Sequence, residues 1–148
     1  MYIRNFMPQD LARVYEIEVN SFNDPYDINM LKGLADIGAG FLVAVEDDVV
    51  VGYILFWLKE ENLGHIIAIA VDEKYRCQHI ATKLLIMAVN VLHNCNVPKI
   101  TLEVRASNVI AVNFYKKFGF EIDRKVPKYY NDGEDAFIMF LENFQNNS

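Results

Sequence analysis

The stretch LGHIIAIAVDEKYRCQHIATKLLIMAVNVLH, residues 63–93, decides the fold. Its apolar first part, residues 63–71, predicts a buried strand, and the polar residues 72–79 predict a loop. Apolar residues then recur at helical spacing, so a helix is predicted over 80–93. The predicted inward side chains of that helix are Leu84, Leu85, Met87, Ala88, Val91 and Leu92.

A loop that leads into a helix is a candidate anion site. It presents unpaired backbone N–H groups at the positive end of the helix dipole, which suits a phosphate or pyrophosphate. Many strand–loop–helix units bind no anion, so the pattern alone leaves both readings open. Lys74 and Arg76 add positive charge to the loop and favour binding.

The patterns on either side extend this unit into an α/β fold. Further strands are predicted at residues 2–6, 41–45, 49–58, 100–105, 120–126 and 136–141, with a hairpin at 46–48. Helices are predicted from Pro8 to a break at 21–26, over 27–37, and over 107–118, with Ser107 as N-cap and Gly119 as the stop. The strand–helix–strand order in the second half implies one parallel pair of strands, hence a mixed sheet with helices on both faces.

Composition and charge limit the classes of function. The chain has 148 residues, of which 53% are hydrophobic and 23% charged, so one folded domain is predicted over 1–142, followed by a polar tail at 143–148. A net charge of -6 argues against a nucleic-acid partner, which would need a basic face. The fully apolar runs 66–71 and 84–89 are far shorter than the roughly 20 residues that span a bilayer. Residues 1–8 lack a signal-peptide core, so a cytoplasmic protein with no membrane partner is expected.

The cysteines and histidines form no metal-binding motif. Cys77 and Cys95 lack C-x-x-C spacing and are expected to be free thiols. His65, His79 and His93 form no H-E-x-x-H or similar cluster, so no metal is expected.

Several segments resemble the GNAT superfamily of N-acetyltransferases. The stretch 76–85 resembles the family's acetyl-CoA loop, R/Q-x-x-G-x-G/A, and residues 69–71 match the core strand before it. Residues 102–108 and 113–120 resemble the family's next strand and helix. The resemblance implies the GNAT fold, a mixed, mostly antiparallel sheet of about seven strands with four helices on its two faces, and acetyl-CoA as cosubstrate.

A narrower resemblance comes from PKYYNDGEDA, residues 127–136. It is similar to the protein N-terminal acetyltransferases, namely the bacterial RimI group, their archaeal relatives and the NatA catalytic subunit. Residues 4–11 and 21–26 fit the same group, and the resemblance runs from residue 1 to about 142. It implies transfer of an acetyl group to the N-terminal amine of a polypeptide by direct attack in a ternary complex, without a covalent enzyme intermediate.

The resemblance also implies a set of cofactor-binding residues. They are Ile69, Ala70, Val71, Arg76, Cys77, Gln78, His79, Ile80, Ala81, Thr82, Asn108 and Tyr115. His79 departs from the family pattern because the usual residue there is glycine, which lets a backbone approach its ligand without a Cβ. Its imidazole either crowds the pyrophosphate, points outward or donates to a phosphate. For Asn108, a plain helix-start role is the alternative.

Three residues are the candidate catalytic groups. A peptide α-amine has a pKa of about 7.7–8.0 against about 10.4 for lysine, so a modest base can serve it, even through a water. The family resemblance makes Glu103 the base and Tyr115 the acid that protonates the leaving thiolate. His65 is expected either to share a water with Glu103 or to be structural. A solvated carboxylate and a core tyrosine are the plain alternatives for Glu103 and Tyr115.

Two loops are the predicted peptide-binding segments. By resemblance, the substrate-binding residues are Phe22, Asp24, Pro25, Tyr26, Tyr129 and Tyr130. Aromatic side chains can hold a peptide through ring contacts and hydroxyl hydrogen bonds. Asp24 is expected to attract the ammonium group or to be an ordinary turn residue.

The sequence leaves other functions open. One keeps the fold but acetylates a small amine or a lysine side chain. Another is a weakly catalytic acyl-CoA-binding sensor or partner subunit. His79, which replaces the usual glycine of the loop, leaves this alternative open. A third is an α/β domain with no nucleotide role. The sequence does not decide the preferred N-terminal residues, the oligomeric state, or the need for the ribosome or an auxiliary subunit.

Overall fold

The computed structural model of the protein describes residues 1–142. Within them, seven strands form one mixed sheet in the order β1-β2-β3-β4-β5-β7-β6. The strands are β1 (Tyr2–Asn5), β2 (Gly40–Glu46), β3 (Val49–Glu60), β4 (Leu63–Val71), β5 (Lys99–Arg105), β6 (Glu121–Val126) and β7 (Ala136–Glu142). The α-helices are α1 (Leu11–Ser21), α2 (Ile28–Asp36), α3 (Ile80–Asn94) and α4 (Val109–Phe118). This order confirms the predicted fold class, while the tail predicted at 143–148 lies outside the described residues.

The chain divides into two compact units. The first comprises Met1–Trp57 and Ile67–Val91, and the second comprises Leu58–Ile66 and the described residues from Leu92. The assignment of residues 1–142 to one domain stays a prediction.

In the first unit, β1, β2 and β3 pair antiparallel around a tight hairpin. Asp47 and Asp48 have φ of 50° and 64°, and two consecutive left-handed residues suit the right-handed twist of the strands they join. The predicted hairpin at 46–48 is therefore confirmed. The hydrophobic core of the first unit includes the fully buried Val14, Leu31 and Tyr53.

The helix predicted to open at Pro8 begins instead with a short 3-10 turn, Pro8–Asp10, before α1. The carboxylate of Asp10 explains the turn, because it accepts a hydrogen bond from the N–H of Met7 at 2.8 Å and a bidentate pair from Arg4. These bonds fix the chain before regular helical geometry starts.

In the second unit, the start of β4 runs parallel to β5, and β5 pairs antiparallel with β7. The predicted parallel pair is thus confirmed. Alternation along β5 buries Ile100, Leu102 and Val104. The opposite, partly exposed face carries Thr101, Glu103 and Arg105. That face supplies the polar side chains of the candidate site.

The predicted inward face of α3 was partly wrong. On α3, Met87 and Val91 are 38% and 42% exposed, because the buried stripe is centred on Leu85, Ala88 and Leu92.

At the start of α4, the N-cap is Asn108 rather than Ser107, since the side chain of Asn108 accepts from the N–H of Ala111 at 3.1 Å. The hydroxyl of Ser107 donates instead to Glu134. Gly119 follows α4 with φ of 127°, which confirms the predicted stop.

Candidate active site

Asp72 holds the start of the loop between β4 and α3 in place through hydrogen bonds. The backbone N–H of Asp72 donates to the carbonyl of Val51 at 2.7 Å, and its carboxylate accepts from the N–H of Lys74 at 2.8 Å. The guanidinium of Arg13 also donates to this carboxylate, and its Nε donates to the carbonyl of Val50 at 2.8 Å. The bond from Arg13 lowers the pKa of Asp72, so the carboxylate stays charged and keeps the loop in place.

Arg76 closes the same loop. Its Nε donates to the carbonyl of Val71 at 3.0 Å, and its Nη2 lies 3.5 Å from the hydroxyl of Ser21. The side chain, predicted as a cofactor ligand, therefore also has a structural role. Its positive charge is held beside the loop and is exposed to solvent.

Two residues of the loop adopt left-handed backbone conformations. Cys77 has φ of 65° and His79 has φ of 62°, and both side chains are exposed. The carbonyl of His79 accepts from the N–H of Lys83 at 3.1 Å, so His79 is the residue from which α3 starts. Left-handed residues in such a turn orient backbone N–H groups into a concavity that binds anions. Glycine adopts a positive φ without steric cost, whereas the Cβ of His79 makes the same conformation less favourable.

The other predicted cofactor residues of the first unit differ in the exposure of their side chains. Ala70, Val71 and Ile80 have side chains that are at least nine-tenths buried, so their side chains belong to the core. Ile69, Ala81 and Thr82 are partly exposed, and Gln78 is exposed. The first N–H groups of α3 lack intrahelical partners, as at any helix start, which leaves backbone donors at Ile80–Thr82 for an anion.

The segment before α2 is held by a buried carboxylate that the sequence analysis missed. Glu18 is 2% exposed and accepts from the hydroxyl of Tyr53 and from the backbone N–H of Tyr26 at 3.0 Å. Burial raises the pKa of Glu18, and burial next to Glu18 also raises the pKa of Tyr53. The position of Glu18 beside Ile17 in an apolar helical stripe was the available signal. The bond fixes Tyr26, while Phe22 and Asp24 on the same segment are exposed.

The second unit brings two of the predicted catalytic residues into contact. Nε2 of His65 lies 3.1 Å from Oε2 of Glu103, and Nδ1 of His65 lies 3.1 Å from the hydroxyl of Thr101. The hydroxyl of Tyr129 donates to Oε1 of Glu103 at 2.9 Å. His65 pairs with Thr101 in the β4–β5 register, and Glu103 is two residues further along β5. These four residues are called the histidine–glutamate cluster below.

The electrostatics of the cluster favour a neutral imidazole. Burial lowers the pKa of His65, Glu103 acts in the opposite direction, and Lys59 adds to the lowering. The net effect is a pKa below the ordinary value, so His65 is uncharged at neutral pH.

Tyr115 lies on α4 with 8% of its surface exposed. Its ring contacts Phe114 and Phe120 edge-on, with centroids 5.2 Å and 5.8 Å away. Burial, with a smaller contribution from Tyr130, raises the pKa of Tyr115, so the phenol keeps its proton and remains a donor. Asn108, the other predicted cofactor residue of this unit, caps α4.

Arg105 orders the loop between β6 and β7. Its Nη1 donates to Asp132 at 2.9 Å and to Glu134 at 2.7 Å, and its guanidinium carbon lies 4.1 Å from the ring centroid of Tyr130. The rings of Tyr129 and Tyr130 contact each other edge-on at 5.0 Å. Arg105 and Thr101 were missed as site residues, although their alternation with Glu103 along one strand was a usable signal.

Residues 1–142 contain no group of three or more His, Cys, Asp or Glu side chains placed to hold a metal ion. Among the helices of that part of the chain, none has the length and apolar character needed to cross a membrane.

Comparison with known proteins gives the class. The model of the acetyltransferase (GNAT) family matches residues 9–120, so the chain belongs to this family and is an acyltransferase. An uncharacterised N-acetyltransferase of Methanocaldococcus jannaschii is 43% identical over 94% of this chain and 90% of its own length. An N-alpha-acetyltransferase of Saccharolobus solfataricus is 35% identical over 93% and 90%. The crystal structure of Ard1 from Thermoplasma volcanium superimposes with a TM-score of 0.92 at 31% identity, covering 95% of this chain and 96% of that chain.

Proposed function

We propose that this acyltransferase is a protein N-alpha-acetyltransferase, which transfers an acetyl group from acetyl-CoA to the N-terminal amine of a polypeptide. The observation that carries the proposal is the histidine–glutamate cluster, in which a carboxylate on β5 is oriented by an imidazole and a tyrosine hydroxyl. The similarity to an N-alpha-acetyltransferase over 93% of the chain supports the choice of acceptor.

Acetyl-CoA is assigned to the loop 76–79 and the start of α3. The pyrophosphate would accept from backbone N–H groups there, next to the charge of Arg76. The left-handed conformations at Cys77 and His79 fit this role, because they produce the type of concavity that binds anions. The exposed imidazole of His79 is the one feature that a glycine loop would lack.

The proposed reaction is a direct displacement. The neutral amine nitrogen attacks the thioester carbonyl, a C–N bond forms, and the C–S bond breaks. The proton of the amine passes to Glu103, directly or through a water, and the departing thiolate takes a proton from Tyr115. A peptide α-amine is about 2.5 pKa units less basic than lysine, which saves about 3.4 kcal/mol of deprotonation at neutral pH.

The peptide is assigned to residues of two loops that are exposed or partly exposed. Phe22 and Asp24 are available in the segment before α2, and Tyr129 and Tyr130 are held in the β6–β7 loop by the bonds of Arg105. Aromatic rings and hydroxyl groups there can hold a peptide backbone, and Asp24 can attract its ammonium group.

The test is a titration with acetyl-CoA followed by thiol release with three matched peptides. One has a free N-terminus and no lysine, the second is its N-blocked twin, and the third is N-blocked and contains lysine. We expect binding, and thiol release only with the first peptide. Release with the third peptide alone would assign a lysine acetyltransferase instead. Binding without release from any peptide would assign an acyl-CoA-binding sensor or partner subunit.

A further inference from the structure

Thr101 is the one member of the histidine–glutamate cluster to which the proposed reaction gives no role. We propose that Thr101 is a positioning residue that holds the His65 ring in its Nε2–H form, so that Glu103 rather than His65 accepts the proton of the substrate amine. The assignment of the proton acceptor rests on the proposed N-terminal acetyl transfer.

The sheet register places the two side chains together. His65 on β4 is the partner of Thr101 on the parallel strand β5, and both are partly buried. The hydroxyl oxygen of Thr101 lies 3.1 Å from Nδ1 of His65. Because the ring is bounded on its other edge by Glu103, at 3.1 Å from Nε2, both ring nitrogens have a defined partner.

The two partners determine where the proton sits. A neutral imidazole has one N–H donor and one acceptor nitrogen, and a carboxylate oxygen can only accept. The nitrogen that faces Glu103 is therefore the N–H, and Nδ1 accepts from the hydroxyl of Thr101. A threonine hydroxyl is suited to this because it can turn its hydrogen toward the ring.

This arrangement divides the roles within the pair. The lone pair of Nδ1 is occupied by Thr101, and Nε2 carries a hydrogen, so the imidazole has no free lone pair for the amine proton. One oxygen of Glu103 lies 3.1 Å from Nε2 of His65, and the other accepts a hydrogen bond from the hydroxyl of Tyr129. A carboxylate has about four lone-pair sites, so two donors orient it and leave capacity to accept a proton.

A plain alternative is that Thr101 is present only as a good strand former. A β-branched side chain is favoured in strands whatever its polarity. Valine has the same shape but no hydroxyl, and serine keeps the hydroxyl but loses the methyl group. The two substitutions therefore separate the hydrogen bond from the strand preference.

The experiment combines nitrogen NMR of the full chain with kinetics on Thr101→Val and Thr101→Ser. The ring nitrogens of His65 are assigned with a His65→Asn control. We expect the Nε2–H form in the native protein, loss of that preference in Thr101→Val and its return in Thr101→Ser. In parallel, kcat should fall roughly two- to tenfold in Thr101→Val, as for the loss of one hydrogen bond, with an unchanged Kd for acetyl-CoA.

The NMR spectrum of His65 and the value of kcat test different parts of the proposal. A native ring in the Nδ1–H form, or the same spectrum in Thr101→Val, would overturn the positioning role. An altered spectrum with unchanged kcat would overturn the assignment of the proton acceptor. A native protein that acetylates no peptide would contradict the proposed function, and the spectrum would still decide whether Thr101 holds the ring.

Discussion

Nε2 of His65 lies 3.1 Å from Oε2 of Glu103, and the two side chains are only 13% and 22% exposed. The carboxylate raises the pKa of the imidazole, but burial lowers it by more, and Lys59 acts in the same direction as burial. The result is a neutral histidine against a carboxylate, which has a consequence for the pH dependence of stability.

We expect the native protein to lose stability relative to a His65→Asn variant as the pH falls from 7 toward 5. The pKa of His65 is lower in the folded chain than its ordinary value of about 6.5. Below pH 6.5 the unfolded chain therefore binds a proton on His65 that the folded chain does not, so stability falls with decreasing pH until the folded pKa is reached. Denaturant unfolding of both proteins at several pH values measures this.

The comparison is internally controlled because His79 and His93 are present in both proteins and their contributions cancel. A stability difference that stays constant would show that folding leaves the pKa of His65 unchanged, and one that grows in favour of the native protein at low pH would show that folding raises it. Either result would contradict the prediction.

Glu103→Gln should lower kcat strongly and leave the Kd for acetyl-CoA unchanged. The amide keeps the shape and an oxygen that accepts from Tyr129, but it cannot take the amine proton. General base catalysis commonly contributes about 10²–10⁴-fold, so a loss in that range is expected in steady-state kinetics. Glu121→Gln on the exposed strand β6 is the matched control and should behave as the native protein. An unchanged kcat in Glu103→Gln removes this residue as the base.

The regular elements of the fold were readable in the sequence because periodicity and turn residues reported them directly. The apolar run 63–71, the helix from Ile80 and the stop at Gly119 follow from local preferences. Local sequence preferences do not show which of several hydrogen-bond partners a side chain will choose in the folded chain. Ser107 was a reasonable N-cap candidate. Its hydroxyl donates instead to Glu134, which lies on a loop 27 residues away in the chain, and Asn108 caps the helix.

The residues of the candidate active site could be predicted only where they belong to a sequence motif. Glu103, Tyr129 and Tyr130 could be named from the resemblance, whereas Thr101 and Glu18 could not. The role of Thr101 depends on the β4–β5 register, and that of Glu18 on Tyr53, which is 35 residues away in the chain. Periodicity along one strand or helix indicates which face such a residue shares, but tertiary packing decides which distant side chain it contacts.

Tyr115→Phe should slow turnover while preserving both fold and cofactor affinity. The ring contacts with Phe114 and Phe120 do not need the hydroxyl. The raised pKa keeps the native phenol protonated, so the substitution removes a proton donor. A fall in kcat of at least about tenfold, with an unchanged melting temperature, is expected. Tyr2→Phe, at an exposed position, serves as control, and loss of folding in Tyr115→Phe would favour a core role.

Arg105→Lys should raise the KM for the peptide with little effect on the Kd for acetyl-CoA. A lysine ammonium lacks the planar guanidinium that lies over Tyr130 while its Nη1 donates to Asp132 and Glu134, so the β6–β7 loop is held less firmly. A rise of roughly three- to tenfold is expected from the loss of one charge-assisted bond on a partly exposed loop. Arg124→Lys, on exposed β6, is the control. Equal changes in both constants would show that Arg105 stabilises the unit as a whole.

His79→Gly tests whether this chain binds acetyl-CoA in spite of its imidazole. His79 has φ of 62°, a conformation that glycine adopts freely and that costs other residues about 1–2 kcal/mol. Removing the exposed side chain should therefore preserve or tighten binding in a calorimetric titration. His79→Ala keeps the Cβ and removes only the ring, and Cys77→Gly relieves the same backbone conformation two residues earlier. A large loss of affinity in both His79 variants, with Cys77→Gly unaffected, would mean that the imidazole itself contacts the cosubstrate.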